Sequence, residues 1–186
     1  TNDPNDGYSV TEISEGADGK VWIATYNALF MYDGKNTKSF DHEKLELKEN
    51  ENLHIRSVLA DSKGRIWIGN NGIGVLLMEN EKAINFSDKN GLINIFSSKN
   101  GNLSPAGTLE HVFVIEEDSE GNIWFGDRDT GVWKYDGKNM TNYTIDSRLS
   151  KPMIWSIYKD NRNNLLFGMA SGGVYIFNGK SFDKKF

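Results

Sequence analysis

Residues Val112 to Tyr143 read VFVIEEDSEGNIWFGDRDTGVWKYDGKNMTNY, and this stretch decides the reading of the whole chain. Its centre is the hexamer Gly121-Asn122-Ile123-Trp124-Phe125-Gly126, which has three counterparts. They are Gly19-Lys20-Val21-Trp22-Ile23-Ala24, Gly64-Arg65-Ile66-Trp67-Ile68-Gly69 and the degenerate Asn163-Asn164-Leu165-Leu166-Phe167-Gly168. The aligned positions Trp22, Trp67, Trp124 and Leu166 recur at intervals of about 40 to 60 residues, near the length of a four-stranded propeller blade. Other columns keep the same register. Apolar residues stand upstream at Val10, Ile55, Val112 and Ile154, and three residues later at Ile13, Val58, Ile115 and Ile157, which predicts one strand per unit. Gly74-Val75, Gly131-Val132 and Gly173-Val174, with Ala28-Leu29 in the first unit, open a further strand after each hexamer.

Asp33-Gly34, Asp136-Gly137 and Asn178-Gly179 then supply tight hairpin turns, because glycine adopts the positive φ such turns need. A last strand is expected around Phe40, Phe86, Tyr143 and Phe182 or Phe186. The chain therefore reads as an all-β propeller domain over 1–186, with four repeats of four antiparallel strands at about 9–40, 54–86, 111–143 and 153–186. Those four blades make a four-bladed ring or part of a larger propeller. Insertions fall at about 41–53 and 87–110. Helical periodicity is nowhere sustained, and blades covered on both faces by neighbours explain strands that are apolar throughout, such as Ile123-Trp124-Phe125.

The composition agrees with a packed fold. The 186 residues include 38% hydrophobic and 12% aromatic side chains, too many large apolar groups for a disordered chain. A net charge of -5 disfavours nucleic acid or an anionic membrane as partner. The absence of cysteine excludes disulfides, thiolate nucleophiles and cysteine-ligated metals. No apolar run approaches a membrane span, and Thr1 to Asp6 reads as a mature end or an arbitrary boundary of the chain, not a signal peptide. A soluble domain with no membrane insertion is expected.

The pattern V-x-x-I-x-x-D-x-x-G-N-I-W-F-G followed by G-V-x-x-Y-D-G-K resembles the two-component regulator propeller repeat. The likeness runs from about Val10 to Phe186 and is weakest in the fourth unit, where Leu166 replaces Trp and Asn163 replaces Gly. It implies a β-propeller of the kind that forms the extracytoplasmic sensor of bacterial hybrid histidine kinases responding to glycan fragments, or stands alone as a secreted protein. A periplasmic or extracellular location follows from the resemblance alone. Such sensors commonly carry more blades, so self-association or further blades are expected to complete the ring.

Candidate chemistry is sparse. Trp22, Trp67 and Trp124 share one place in the second strand, which assigns them to the seams between blades and not to ligand stacking. Asp61, Asp118 and Asp160 recur three residues before the turn and read as turn caps, since no second carboxylate stands at calcium-ligand spacing in all three. Glu116 and Glu117 read as a solvated edge. No Ser/His/Asp constellation and no phosphate loop can be placed, and no cofactor, catalytic residue or metal ligand is expected. His54 and His111, however, each precede the first apolar position of an innermost strand, which predicts both imidazoles near one mouth of the central channel. The loops between second and third strands should emerge on that same face. They bring Tyr26, Asn70, Asn71, Asp127, Arg128 and Asp129 beside the two insertions. Loops on a rigid scaffold are where recognition groups collect. The leading expectation is a non-enzymatic sensor or recognition module that binds a carbohydrate fragment or a protein partner there. Two alternatives stand beside it. One is a propeller lyase resembling the streptogramin lyases, with channel-mouth histidines and a divalent metal, and the other is a purely structural assembly propeller.

Overall fold

A computed structural model describes residues 9–94, 103–149 and 152–186. The N-terminal stretch Thr1 to Asp6 and positions 95–102 of the second insertion lie outside the described residues. Among the described residues sixteen strands form four separate antiparallel sheets, each a plain meander of four. Blade 1 holds β1 (Val10–Glu15), β2 (Val21–Thr25), β3 (Leu29–Tyr32) and β4 (Thr37–Phe40). Blade 2 holds β5 (Ile55–Ala60), β6 (Ile66–Asn70), β7 (Gly74–Glu79) and β8 (Lys82–Asn85), with the short helix α1 (Phe86–Lys89) at its end. Blade 3 holds β9 (Val112–Glu117), β10 (Ile123–Asp127), β11 (Val132–Tyr135) and β12 (Met140–Tyr143). Blade 4 holds β13 (Ile154–Lys159), β14 (Leu165–Met169), β15 (Val174–Phe177) and β16 (Phe182–Lys184).

Consecutive blades meet through their first strands, β1 on β5, β5 on β9 and β9 on β13, which makes these the innermost strands. Among the described residues no comparable contact joins β13 to β1, so the four blades form an open arc. Each seam is a separate core. Trp22 faces Ile55, Val58 and Ile68 of blade 2. Trp67 faces Val112, Ile115 and Phe125 of blade 3, and Trp124 faces Ile154, Ile157 and Phe167 of blade 4. Every blade therefore has a leading face, built on the first-strand columns, and a trailing face that carries Trp or Leu. The last glycine of the hexamer allows the blades to approach. A Cβ on Gly126 would lie 2.6 Å from Val114 and 2.8 Å from Ile154 of the next blade.

The turns carry out the role the sequence assigns them. Asp61 Oδ1 accepts the backbone N–H groups of Lys63 and Arg65, and Asp118 and Asp160 do the same in their blades. In blades 2 and 3 the second carboxylate oxygen also accepts the indole N–H of the seam tryptophan, at 2.8 Å from Trp67 and 2.7 Å from Trp124. Two local expectations change. Phe86 stands in α1 and not in a fourth strand, because the Asn85 side chain caps the helix by accepting from the Asp88 N–H; its ring still packs on Trp67 at 5.1 Å. Glu117 is buried, not solvated, and accepts hydrogen bonds from the backbone and hydroxyl of Ser62 in the preceding blade.

Candidate recognition site at the channel mouth

The same backbone contact recurs beside three innermost strands. The first residue of the second-to-third-strand loop donates its N–H to the carbonyl of the residue just before the first strand: Asn71 to His54, Arg128 to His111 and Ala170 to Met153. This contact brings the histidine column and the loop column together. The side chains then join across blades 2 and 3. Asn71 Oδ1 lies 2.8 Å from His111 Nδ1, and Asn71 Nδ2 lies 3.4 Å from His54 Nδ1. With the amide oxygen facing His111, that imidazole donates through Nδ1 and leaves Nε2 as its acceptor. Tyr26 of blade 1 meets the His54 ring edge-on at 5.0 Å.

Both imidazoles are pushed toward the neutral form. Burial lowers the His54 pKa, with Arg56 adding to the effect. Burial also lowers that of His111, and Arg128 adds to it against the opposing Asp129 and Glu110. His111 is buried to 5% exposure, and its Nε2 has no hydrogen-bond partner among the described residues. Asn70, fully buried, has no partner for either amide atom among the described residues.

The remaining loop residues do structural work. Asp127 is completely buried and accepts four backbone N–H groups, from Glu110, His111, Asp129 and Thr130. Burial pushes its pKa up to about 6 despite those bonds. Arg128 is clamped by Asp129, whose Oδ2 also accepts the Ser104 N–H. Tyr26, His54, Asn71 and Arg128 therefore keep partial exposure, whereas Asn70, His111 and Asp127 lie beneath them. Asn71 also borders a cleft of about 400 Å³ lined by Lys48, Glu51 and Asn52 of the first insertion and by Asn85 and Asp88.

Sequence reasoning missed one column. Each innermost strand carries a register shift against its partner at one common place, between Val10 and Glu12, Ile55 and Ser57, Val112 and Val114, and Ile154 and Ser156. The extra residues are Thr11, Arg56, Phe113 and Trp155. A bulge redirects its side chain, and here three of the four form a ladder across blades. The Arg56 guanidinium lies 5.0 Å from the Tyr26 ring centre and 4.9 Å from that of Phe113. Phe113 in turn lies 6.0 Å from Trp155, which is 61% exposed. The available signal was an aromatic or cationic residue directly after the first apolar column, in a position otherwise read as a spacer. Among the described residues, no group of three His, Asp or Glu side chains is arranged to hold a metal ion.

The geometry can be set beside known proteins. The family model for the two component regulator propeller matches residues 49–72 and 108–129. Histidine kinase P4 of Formosa agariphila is 23% identical over 78 residues, which are 39% of this chain and 6% of that protein. Virginiamycin B lyase of Staphylococcus aureus superposes with a TM-score of 0.69 at 14% identity, over 97% of this chain and 56% of the lyase. The extracellular domain of a putative one component system of B. thetaiotaomicron gives a TM-score of 0.67 at 17% identity, over 97% of this chain and 22% of that one. PorZ, a surface component of the type-IX secretion system of Porphyromonas gingivalis, gives 0.66 at 17% identity, over 97% and 26%. The chain thus spans a small part of its curated relative and 22 to 56% of these structures. At such identities the superpositions establish the propeller fold.

Proposed function

We propose that this propeller, which carries two-component regulator propeller repeats, is a recognition module that binds a carbohydrate fragment at its channel mouth, outside the cytoplasm. The observation that carries the reading is the ladder Tyr26–Arg56–Phe113–Trp155, drawn from four successive blades. An exposed indole offers a flat apolar surface to the C–H face of a sugar ring. The Arg56 fork, held between two rings, presents donors of fixed geometry to hydroxyl or carboxylate oxygens. Tyr26, His54 and Asn71 border the ladder with further donors and acceptors. The likeness to the extracellular domain of a one component system supports an extracellular or periplasmic setting.

Calorimetric titration with a panel of neutral and uronic acid oligosaccharides tests this. At least one should bind, and Trp155→Ala or Arg56→Ala should weaken it by roughly tenfold or more, equivalent to about 1.4 kcal/mol. Lys35→Ala and Lys138→Ala, in the hairpin turns at the other end of the strands, should leave binding unchanged. If no oligosaccharide binds, the carbohydrate reading fails. The linked pair His54–Asn71–His111 favours a second reading, a lyase. There a neutral histidine would act as the general base, and His54→Ala would abolish product formation while leaving affinity nearly intact.

A further inference from the structure

We propose that the sugar taken at the channel mouth is acidic, its carboxylate or sulfate group held by Arg56; this rests on the carbohydrate reading of the mouth and adds the class of ligand to it. The evidence is a half-buried guanidinium whose charge has no partner. Arg65, Arg128 and Arg148 are paired with the carboxylates of Asp61, Asp129 and Asp146, and Arg162 is exposed in a turn. Arg56 differs from all four. It is half-buried, and among the described residues no carboxylate stands within ion-pair distance of it. Its one polar contact is long, from Nη1 to the Tyr26 hydroxyl at 3.4 Å. Among the described residues Nε is buried with no acceptor, and Nη2 makes no hydrogen bond.

A charge taken partly out of water is costly unless an opposite charge or an acceptor answers it. The rings of Tyr26 and Phe113 flank the guanidinium carbon at 5.0 and 4.9 Å, and they supply only the weak negative potential of their faces. They also fix where the fork stands. Its N–H groups, left without acceptors, suit two oxygens of one anion side by side. The blades on either side of Arg56 both belong to the chain, and their nearby carboxylates are engaged elsewhere. Glu12 accepts the Val58 N–H, Asp129 holds Arg128, and Asp127 takes four backbone N–H groups. Glu110 accepts from the Asn94 N–H and the Ser104 hydroxyl. The uncompensated charge is felt at His54, where Arg56 adds to burial in lowering the pKa.

The bulge column sets how the sugar lies. Its members Thr11, Arg56, Phe113 and Trp155 include one cation and no anion, and the Thr11 hydroxyl is turned to the Ala24 carbonyl. Charge is therefore read at one point of the column and apolar surface at another. Phe113 stands between the two, 4.9 Å from the guanidinium and 6.0 Å from the Trp155 ring. An acidic unit on Arg56 with its neighbour against Trp155 makes a disaccharide the smallest ligand that meets both groups.

Calorimetric titration with matched disaccharides tests this. The probes are glucuronic, galacturonic and mannuronic acid disaccharides beside their carboxyl-reduced counterparts, and sulfated disaccharides beside the desulfated ones. At least one acidic member should bind about tenfold or more tighter than its neutral counterpart, and the pair in which this occurs tells carboxylate from sulfate. That binding should weaken several-fold between about 50 and 500 mM NaCl, and binding of the neutral counterpart should not. Both measurements use the wild-type chain and do not depend on a variant folding. In Arg56→Gln, with an unchanged far-ultraviolet circular dichroism spectrum, the preference for the acidic member should vanish. A neutral member that binds as tightly as its acidic partner overturns the inference and leaves the carbohydrate reading standing. An acidic preference that survives Arg56→Gln overturns the assignment to Arg56. Binding of no saccharide at all ends both readings.

Discussion

Blades 3 and 4 share a plan, yet a single column separates them. In blade 3 Trp124 fills the seam against Phe167 and Phe177, with ring centres 5.5 and 4.8 Å away, and its indole N–H is bonded to Asp118. One side chain therefore closes the core between blades and anchors the turn of its own blade. In blade 4 Leu166 takes that position. It has no N–H to donate, so Asp160 holds only the backbone of its turn and the Asn164 amide. The face around Leu166 is left uncovered. In blades 2 and 3 the tryptophan thus couples turn to seam, a link that Leu166 cannot make in blade 4.

The largest effect that tests the comparison comes from Trp124→Ala. It should lower stability by about 3 to 5 kcal/mol, as large-to-small core changes do, read as a shift in urea midpoint; an unchanged midpoint would show that the tryptophan column is not core. Next is the turn carboxylate. Asp61→Ala strands the buried Trp67 indole, the Arg65 side chain and two backbone N–H groups, and should cost about 2 to 3 kcal/mol. Asp160→Ala loses only exposed turn bonds, so its cost should stay below about 1 kcal/mol. Equal losses at the two positions would mean that the indole bond contributes nothing.

A smaller effect concerns pH at the first seam. Glu12 accepts the Val58 N–H across that seam, and burial raises its pKa to about 7, with Glu116 adding to the rise. A carboxyl that holds its proton more tightly when folded contributes stability that is complete below about pH 4.5 and is lost as pH rises to about 7. Asp127, with its pKa near 6, titrates earlier in the same direction. Urea midpoints should therefore fall between about pH 4.5 and 7 and level off above that, and Glu12→Gln, which keeps an acceptor for Val58, should flatten that fall. The smallest effect is Glu120→Ala in an exposed turn, within about 0.5 kcal/mol of wild type.

The legible parts of the molecule were those set by local chemistry repeated in register. The hexamer, the Asp-Gly turns and the capping aspartates identify themselves because each solves a backbone problem within a few residues. The mouth was partly legible. The placement of His54 and His111 before an innermost strand brought them to one end, but their link through Asn71 joins residues 40 positions apart. The bulge column was not legible. Thr11, Arg56, Phe113 and Trp155 share no residue type, and the odd spacing V-x-x-I, which on a regular strand would turn its two apolar residues to opposite faces, marks an irregularity without saying which spacer is redirected. Asn70, His111 and Asp127 read as loop polarity, yet they are buried, Asp127 beneath the backbone of Glu110 and His111, and His111 against Asn71 of the neighbouring blade.

By itself the sequence determined that the chain is all-β, that it is divided into four equivalent four-stranded sheets, and which columns are apolar. These follow from periodicity, turn chemistry and side-chain type, which act over a handful of residues. Tertiary structure alone decided which face of each sheet meets which neighbour. It also decided that the arc stays open between blades 4 and 1, and that Arg56 lies between the rings of Tyr26 and Phe113. Those outcomes depend on how sheets from distant parts of the chain stack and turn about a common axis. The burial of a residue such as Ile13 is settled by whether another blade stands in front of it, and equivalent residues in one column can therefore meet opposite fates.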